Sequence, residues 1–231
     1  MIIYGRNAVR EALRSGRRPV EAIWASGGAA TEPWLAGEAH VAVVDPREVG
    51  ERCGSDEHQG ICAEVGEYPY ASASGLLGGE NPLIVVLDQV QDPRNLGAVC
   101  RTAEAVGAAG VVIPERRSAE VTPAAVKASA GATEWLPVAR VRNVADFLAE
   151  AKEAGCWVYG AALGEESVDY REPDYSGGCV LVLGAEGKGL RPRVAQSCDQ
   201  LITLPMLGSL ESLNISAAAA ALLYAITASR A

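Results

Sequence analysis

The chain has no apolar run long enough to cross a bilayer. Its longest, AAAAALLYAITA over 217–228, falls short of the roughly 20 residues a membrane helix needs. The start, MIIYGRNAVREALRSGRRP, offers only a three-residue apolar opening before charge intervenes. Neither a signal peptide nor a membrane span is expected there, and a cytoplasmic location is. A metal framework is missing too. Cys53, Cys62, Cys100, Cys156, Cys179 and Cys198 are scattered without a CxxC pair, and no His stands at ligand spacing. The cysteines read as buried free thiols of a reducing compartment, with no metal. Nor is there the positive balance usual in proteins that bind phosphate, for the net charge is −9.

What is present suits a soluble globular protein. A chain of 231 residues, 49% hydrophobic and 21% charged, buries one large core or two small ones. Charge is unevenly spread: residues 1–18 hold Arg6, Arg10, Arg14, Arg17 and Arg18 against one acid, Glu11. Arg6, Arg10, Arg14 and Arg18 recur every fourth residue and would share one helix face, with Arg17 beside them. That face reads either as solvated surface or as a local RNA contact, which the overall acidity does not exclude.

Helix and strand signals alternate through residues 2–65. NAVREALRSG (7–16) is an amphipathic helix closed by Gly16, and PREVGERCG (46–54) opens with Pro at a first helical position. VEAIWAS, HVAVVD and GICAEVGEY read as strands. PYASASGLLGGENP (69–82) has the Gly, Ser, Ala and Pro content of a linker. The chain therefore divides into a domain over 1–70, a linker over 71–82 and a larger domain over 83–231. In the latter, PLIVVLDQV, GAAGVVIP, CWVYGAAL, GCVLVLGAE and QLITLP alternate with helical patterns. Near-continuous apolar strands between helices argue for a parallel α/β sheet covered on both faces.

Three tracts follow such strands: DQVQDPRNLGAVCRTAEAVGAAG (88–110), LVLGAEGKGL (181–190) and LPMLGSLESLNIS (204–216). Ligands of open α/β sheets bind outside the carboxyl ends of the strands, so these tracts are where a site belongs. LGAEGKGL is not a phosphate-binding P-loop, because Gly189 stands where Ser or Thr must follow the GK pair. Nor is it a dinucleotide fingerprint, since its glycines fall as GxxGxG after a late strand. Glycines at 184, 187 and 189 would let backbone approach a ligand closely and adopt positive φ. Taken alone, Ser212 and Asn214 read as caps of the last helix, Asp92 or Asn95 as a cap of the helix after DPRN, and Arg101 as a solvent-facing residue.

In order and spacing the three tracts resemble the three motifs of the SpoU family of RNA ribose 2′-O-methyltransferases, the TrmH-like branch of the SPOUT class. The likeness is strongest to the family's large-subunit rRNA guanosine methyltransferases and covers nearly the whole chain. It implies a C-terminal parallel-sheet domain with a deep trefoil knot, preceded by a small α/β ribosomal-protein-like RNA-binding domain. It implies S-adenosylmethionine as cofactor, 23S rRNA as substrate and a homodimer as the working form. Carried over by motif, the catalytic set is Asn95, Arg101, Glu186, Ser212 and Asn214. Gly184, Leu204, Met206 and Leu213 would hold the cofactor, and Arg6, Arg10 and Arg14 would contact RNA. DEHQGICAEV (56–65) resembles the end of the family's substrate-binding domain, with His58 read as structural. The tract ASGGAATEPWLAGEAH (25–40) departs from the pattern, being Gly- and Ala-rich where homologues carry a fuller helix.

The implied reaction is in-line attack of a ribose 2′-oxygen on a sulfonium methyl, which demands near-attack geometry and management of one proton. A guanidinium stays protonated and accepts no hydrogen bond. Arg101 is therefore read as stabilising the developing alkoxide or gripping an adjacent phosphate. Alternatives are a tRNA 2′-O-methyltransferase, a non-catalytic RNA-binding protein of the same fold, and an ordinary doubly wound nucleotide-binding enzyme. The last should show a Gly-rich first βα turn, where this chain has DQVQDPRN.

Overall fold

The computed structural model describes residues 1–230 apart from Glu165, Glu186, Leu210 and Glu211. In the N-terminal part, β1 (Ile2–Tyr4), α1 (Arg6–Ser15), β2 (Val20–Ala25), β3 (Val41–Val43), α2 (Pro46–Cys53) and β4 (Ile61–Val65) follow in order. The four strands form one sheet, ordered β1-β4-β2-β3, in which β4 runs antiparallel to β1 and β2. Gly16 ends α1 at φ 58, a left-handed position that a residue without Cβ fills readily. Asp45 starts α2 by accepting a hydrogen bond from Arg47 N, with Pro46 at the first helical position. The Gly/Ala-rich tract supplies two single 3₁₀ turns, Gly27–Ala29 and Pro33–Leu35, and no longer helix.

The second part carries β5 (Leu83–Asp88), α3 (Pro93–Ala105), β6 (Gly110–Pro114), α4 (Pro123–Ala128), β7 (Val138–Val141), α5 (Val144–Glu153), β8 (Trp157–Ala161), β9 (Val168–Asp169), β10 (Cys179–Gly184), α6 (Pro192–Gln196), β11 (Gln200–Thr203) and α7 (Ile215–Ser229). Its strands form one sheet, β7-β6-β5-β10-β8-β11-β9, with every pair parallel. Alternate residues of each strand serve opposite faces. Val85, Leu87, Leu181 and Leu183 pack with Leu96 and Val99 of α3 and Leu222 and Ile226 of α7. Ile84, Val86, Val180 and Val182 pack with Phe147 and Leu148 of α5. Burial on both faces explains why these strands read as unbroken apolar runs.

Two strands escape the sequence pattern. β7 has four residues, follows Pro137 directly and ends half-buried, too short for alternation to show. β9 has only two. The tract read as a linker is packed rather than loose. Ala71 N donates to Val138 O at 2.9 Å, and Leu76 is buried in a 3₁₀ turn over Ser74–Leu77. Leu76 lies so close to Gly110 that a Cβ there would meet its methyl at 2.8 Å.

The expectation of one continuous arginine face needs correction. α1 ends at Ser15, so Arg17 and Arg18 leave its periodicity and turn inward. Arg18 is 5% exposed and meets Glu134 through Nη2–Oε1 at 2.5 Å and Nε–Oε2 at 3.0 Å. Arg17 donates to the carbonyls of Leu136 (3.0 Å) and Pro69 (3.2 Å) and stacks near the Tyr68 ring. These two side chains fasten the first sheet to the second part of the chain. Arg6 turns to Glu32, at 2.7 Å.

Candidate active site

The three motif tracts lie beyond the carboxyl ends of β5, β10 and β11, and a buried acid joins two of them. Asp88, the last residue of β5, is 1% exposed and accepts hydrogen bonds from Arg191 N at 3.0 Å and Nε at 2.8 Å. Arg191 stands directly after the Gly-rich tract that follows β10. The pair thus ties the start of the first motif to the end of the second. Sequence reasoning passed over both residues, although an acid closing the apolar run LIVVLD was a signal.

The Gly-rich loop is tightly folded. Ala185 and Gly189 form an isolated bridge, with Gly187 at φ 72 and Gly189 at φ 64. A Cβ on Gly184 would lie 2.1 Å from the Gly189 carbonyl carbon, so only glycine permits this closure. Glu186 lies outside the described residues. Leu204 and Met206, just past β11, are half-buried, whereas Leu213 is 45% exposed. Ser212 is exposed, two residues before the cap of α7.

That cap is Asn214. Its Oδ1 accepts from Ser216 N at 2.8 Å and Ser216 Oγ at 2.6 Å, while its Nδ2 donates to Asn95 Oδ1 at 3.2 Å. The first turn of α3 is capped by Asp92, which accepts from Arg94 N at 2.8 Å. Asn95 is therefore not the cap, and its side chain reaches the third motif. Asn95 and Asn214 thus come together.

Arg101 faces elsewhere. Six residues along α3 place it about 9 Å further on and about 120° round the helix. It lines a cleft of about 390 Å³ with Asn7, Arg10, Glu11, Arg14 and Trp135, between the two parts of the chain. Glu11 gathers this cleft. It accepts from Arg10 Nε at 2.9 Å, Arg14 Nη1 at 3.1 Å and Trp135 Nε1 at 3.0 Å. Burial pushes the Glu11 carboxyl up, but the Arg10 and Trp135 hydrogen bonds and the two arginine charges outweigh it, leaving the group below its ordinary value.

Other polar and sulfur groups serve local structure. His58 Nδ1 accepts from Gly60 N at 2.9 Å, closing a local turn. Ser129 is buried, donating to Val126 O at 2.8 Å. All six cysteines are free, and burial pushes the thiols of Cys62, Cys100, Cys179 and Cys198 up to about 12. Among the described residues no group of three or more His, Cys, Asp or Glu side chains could hold a metal. No helix among them is long and apolar enough to cross a membrane.

Known proteins resemble this chain over nearly its whole length. Residues 82–224 match the SpoU rRNA Methylase family. The chain belongs to that family. Residues 2–71 match the RNA 2′-O ribose methyltransferase substrate-binding family. A Bacillus subtilis protein assigned to the TrmH family of tRNA/rRNA methyltransferases, YacO, is 40% identical, covering 97% of this chain and 94% of its own. The 23S rRNA (guanosine-2′-O-)-methyltransferase RlmB of Pseudomonas syringae pv. tomato is 39% identical over 96% of this chain and 94% of its own. The crystal structure of the SpoU methyltransferase AviRb from Streptomyces viridochromogenes with the cofactor AdoMet superposes with a TM-score of 0.83, at 26% identity, covering 100% of this chain and 90% of that one. The chain is thus a SpoU-type methyltransferase, and S-adenosylmethionine is the family's methyl donor. Half-buried Leu204 and Met206, just past β11 at the carboxyl edge of the sheet, offer apolar groups that fit the adenosine of such a ligand.

Proposed function

We propose that this chain transfers a methyl group from S-adenosylmethionine to the ribose 2′-hydroxyl of a guanosine in 23S rRNA, acting as a homodimer in the cytoplasm. The observation that carries the reading is the Asn214–Asn95 contact, which joins the first and third motifs at the carboxyl edge of a SpoU-type sheet. S-adenosylmethionine supplies an electrophilic sulfonium methyl. Bound there it would leave as S-adenosylhomocysteine once its methyl is on the 2′-oxygen, the hydroxyl proton passing to solvent water.

The chain's own residues position that event. Gly184, Leu204, Met206 and Leu213 would hold the cofactor through backbone groups and apolar contact. Asn95, Ser212 and Asn214 would orient the ribose, with Glu186 supporting the loop. Arg101, on the cleft with Arg10 and Arg14, would grip a neighbouring phosphate of the same RNA. The Arg10–Glu11–Arg14 cluster on the same cleft would meet the RNA backbone. Arg6, paired with Glu32 and two turns before Arg14 on α1, would add to that surface.

Ribosomal RNA is favoured over tRNA by the substrate-binding match across residues 2–71 and by full-length likeness to RlmB. The division into a substrate domain (1–70), a connecting segment (71–82) and a methyltransferase domain (83–231) follows the two sheets. A trefoil knot threading the segment before α7 belongs to the same reading. So does a dimer contact through α7, whose outer face presents Ala217, Ala221, Tyr224 and Ala228. The test is mass spectrometry of 23S rRNA from cells lacking the chain. Loss of one 2′-O-methylguanosine, restored by the gene, is expected; an unchanged rRNA with a tRNA ribose methyl missing would assign tRNA instead.

A further inference from the structure

Four arginines, Arg94, Arg101, Arg116 and Arg117, have guanidinium groups that make no hydrogen bond or ion pair among the described residues. Every other arginine is engaged. Arg6, Arg10, Arg14, Arg18, Arg47, Arg52, Arg140, Arg142, Arg171, Arg191 and Arg193 face carboxylates, and Arg17 and Arg230 face carbonyls. In a protein of net charge −9, these four are the arginines left without a carboxylate or carbonyl partner among the described residues.

Three of the four share one ridge. β5 and β6 are adjacent and parallel, and Val86 pairs with Val112, so Asp88 and Pro114 end their strands at the same level. Arg94 lies in the first turn of α3 beyond β5, and Arg116 and Arg117 lie in the loop beyond β6. The two connections are tied together: Ala119 N donates to Val90 O at 2.7 Å and Ser118 Oγ to the same oxygen at 3.2 Å. Arg117 is held at φ 57, a left-handed conformation that an L-residue with a Cβ adopts only against resistance. All three are exposed. The ridge adjoins Asn95, the residue after Arg94, on the side of the sheet that carries the candidate active site.

We propose that Arg94, Arg116 and Arg117 form a phosphate-binding ridge on the methyltransferase domain itself, gripping the RNA backbone that flanks the target nucleotide. The inference rests on the RNA-methyltransferase reading above and adds a second contact surface to the Arg10–Arg14 cleft. Guanidinium groups suit this role because they bind phosphate through paired donors and stay charged. Unpaired arginines lose no intramolecular partner when RNA arrives. The ridge also accounts for how an acidic chain binds RNA: its affinity comes from localised cation, not from net charge.

The experiment compares wild type with Arg116→Gln/Arg117→Gln and with Arg94→Gln in the full chain. Arg171→Glu, at the far lateral edge of the sheet beyond β9, shifts net charge by the same two units as the double variant and serves as control. RNA affinity is read by filter binding over a salt series, S-adenosylmethionine affinity by calorimetry, and methyl transfer as separate kcat and KM. The double variant should raise the RNA Kd and KM about tenfold and cut the slope of log K against log salt by about 2. Its kcat and cofactor affinity should stay near wild type, and Arg171→Glu should change neither slope nor KM. A wild-type slope and KM in the double variant would overturn the proposal. So would an equal loss in Arg171→Glu, which would make net charge the cause, or a parallel fall in cofactor affinity, which would make the effect structural. If wild type binds RNA with the ridge-dependent slope yet transfers no methyl, the ridge stands and the catalytic reading fails.

Discussion

Asn214 donates from Nδ2 to Asn95 Oδ1 across 3.2 Å, while its own Oδ1 caps α7. One side chain thereby does two jobs: it starts the last helix and joins that helix to the first turn of α3. Serine separates the jobs, because it can cap but has no amide to reach Asn95. Asn214→Ser should keep unfolding stability within about 0.5 kcal/mol of wild type, and Asn214→Ala should lose about 1 kcal/mol more. Both should lose most methyl transfer. Urea unfolding and labelled-methyl transfer check the pair, and an active serine variant would reduce the contact to packing.

Arg101 looks into the cleft shared with Arg10 and Arg14. If its planar fork is what serves the reaction, charge alone should not suffice. Arg101→Lys should lose most turnover while the cofactor still binds. Near-wild-type kcat in that variant would remove the bidentate role.

The Arg18–Glu134 pair is almost wholly buried, with side chains 2% and 0% exposed. Removing one partner strands the other charge, which costs about 3–5 kcal/mol, whereas replacing both with apolar groups is often neutral. Glu134→Gln should therefore destabilise the protein strongly, and Arg18→Met/Glu134→Leu should recover most of the loss. Denaturant unfolding of the two variants decides it.

Glu11 gives a pH signature. Its carboxyl lies below the ordinary value of 4.5 in the folded protein. A depressed carboxylate contributes stability that is complete above the unfolded value and is lost as pH falls through the folded one. The difference in unfolding stability between wild type and Glu11→Gln should thus be constant above about pH 5 and shrink as pH falls below 4.5. A difference that stays flat down to pH 3 would mean the arginine and tryptophan contacts do not depend on the charge.

The architecture was largely legible because buried parallel strands leave unbroken Val/Leu/Ile runs, as in LIVVLD and CVLVLG, and because Gly16 and Pro46 mark helix ends by their own backbone chemistry. β7 was hidden by brevity and the proline before it. The candidate site residues come from motif order rather than from geometry. Nothing local in DPRNLG says that Asn95 turns to α7 and Asp92 does the capping, because that choice depends on a segment 119 residues away. The arginine pattern misled for a related reason. Periodicity places Arg17 and Arg18 on a helix face only if the helix continues, and Gly16 stops it. Their partners, Glu134 and the carbonyls around it, are tertiary neighbours that no spacing rule reveals.

The most direct measurement is transfer of labelled methyl from S-adenosylmethionine to unmodified 23S rRNA, with total tRNA alongside and the label mapped to its atom. Label at a ribose 2′-oxygen of a 23S rRNA guanosine, absent from tRNA, is the predicted result. Label on a base, or on tRNA alone, would contradict the account.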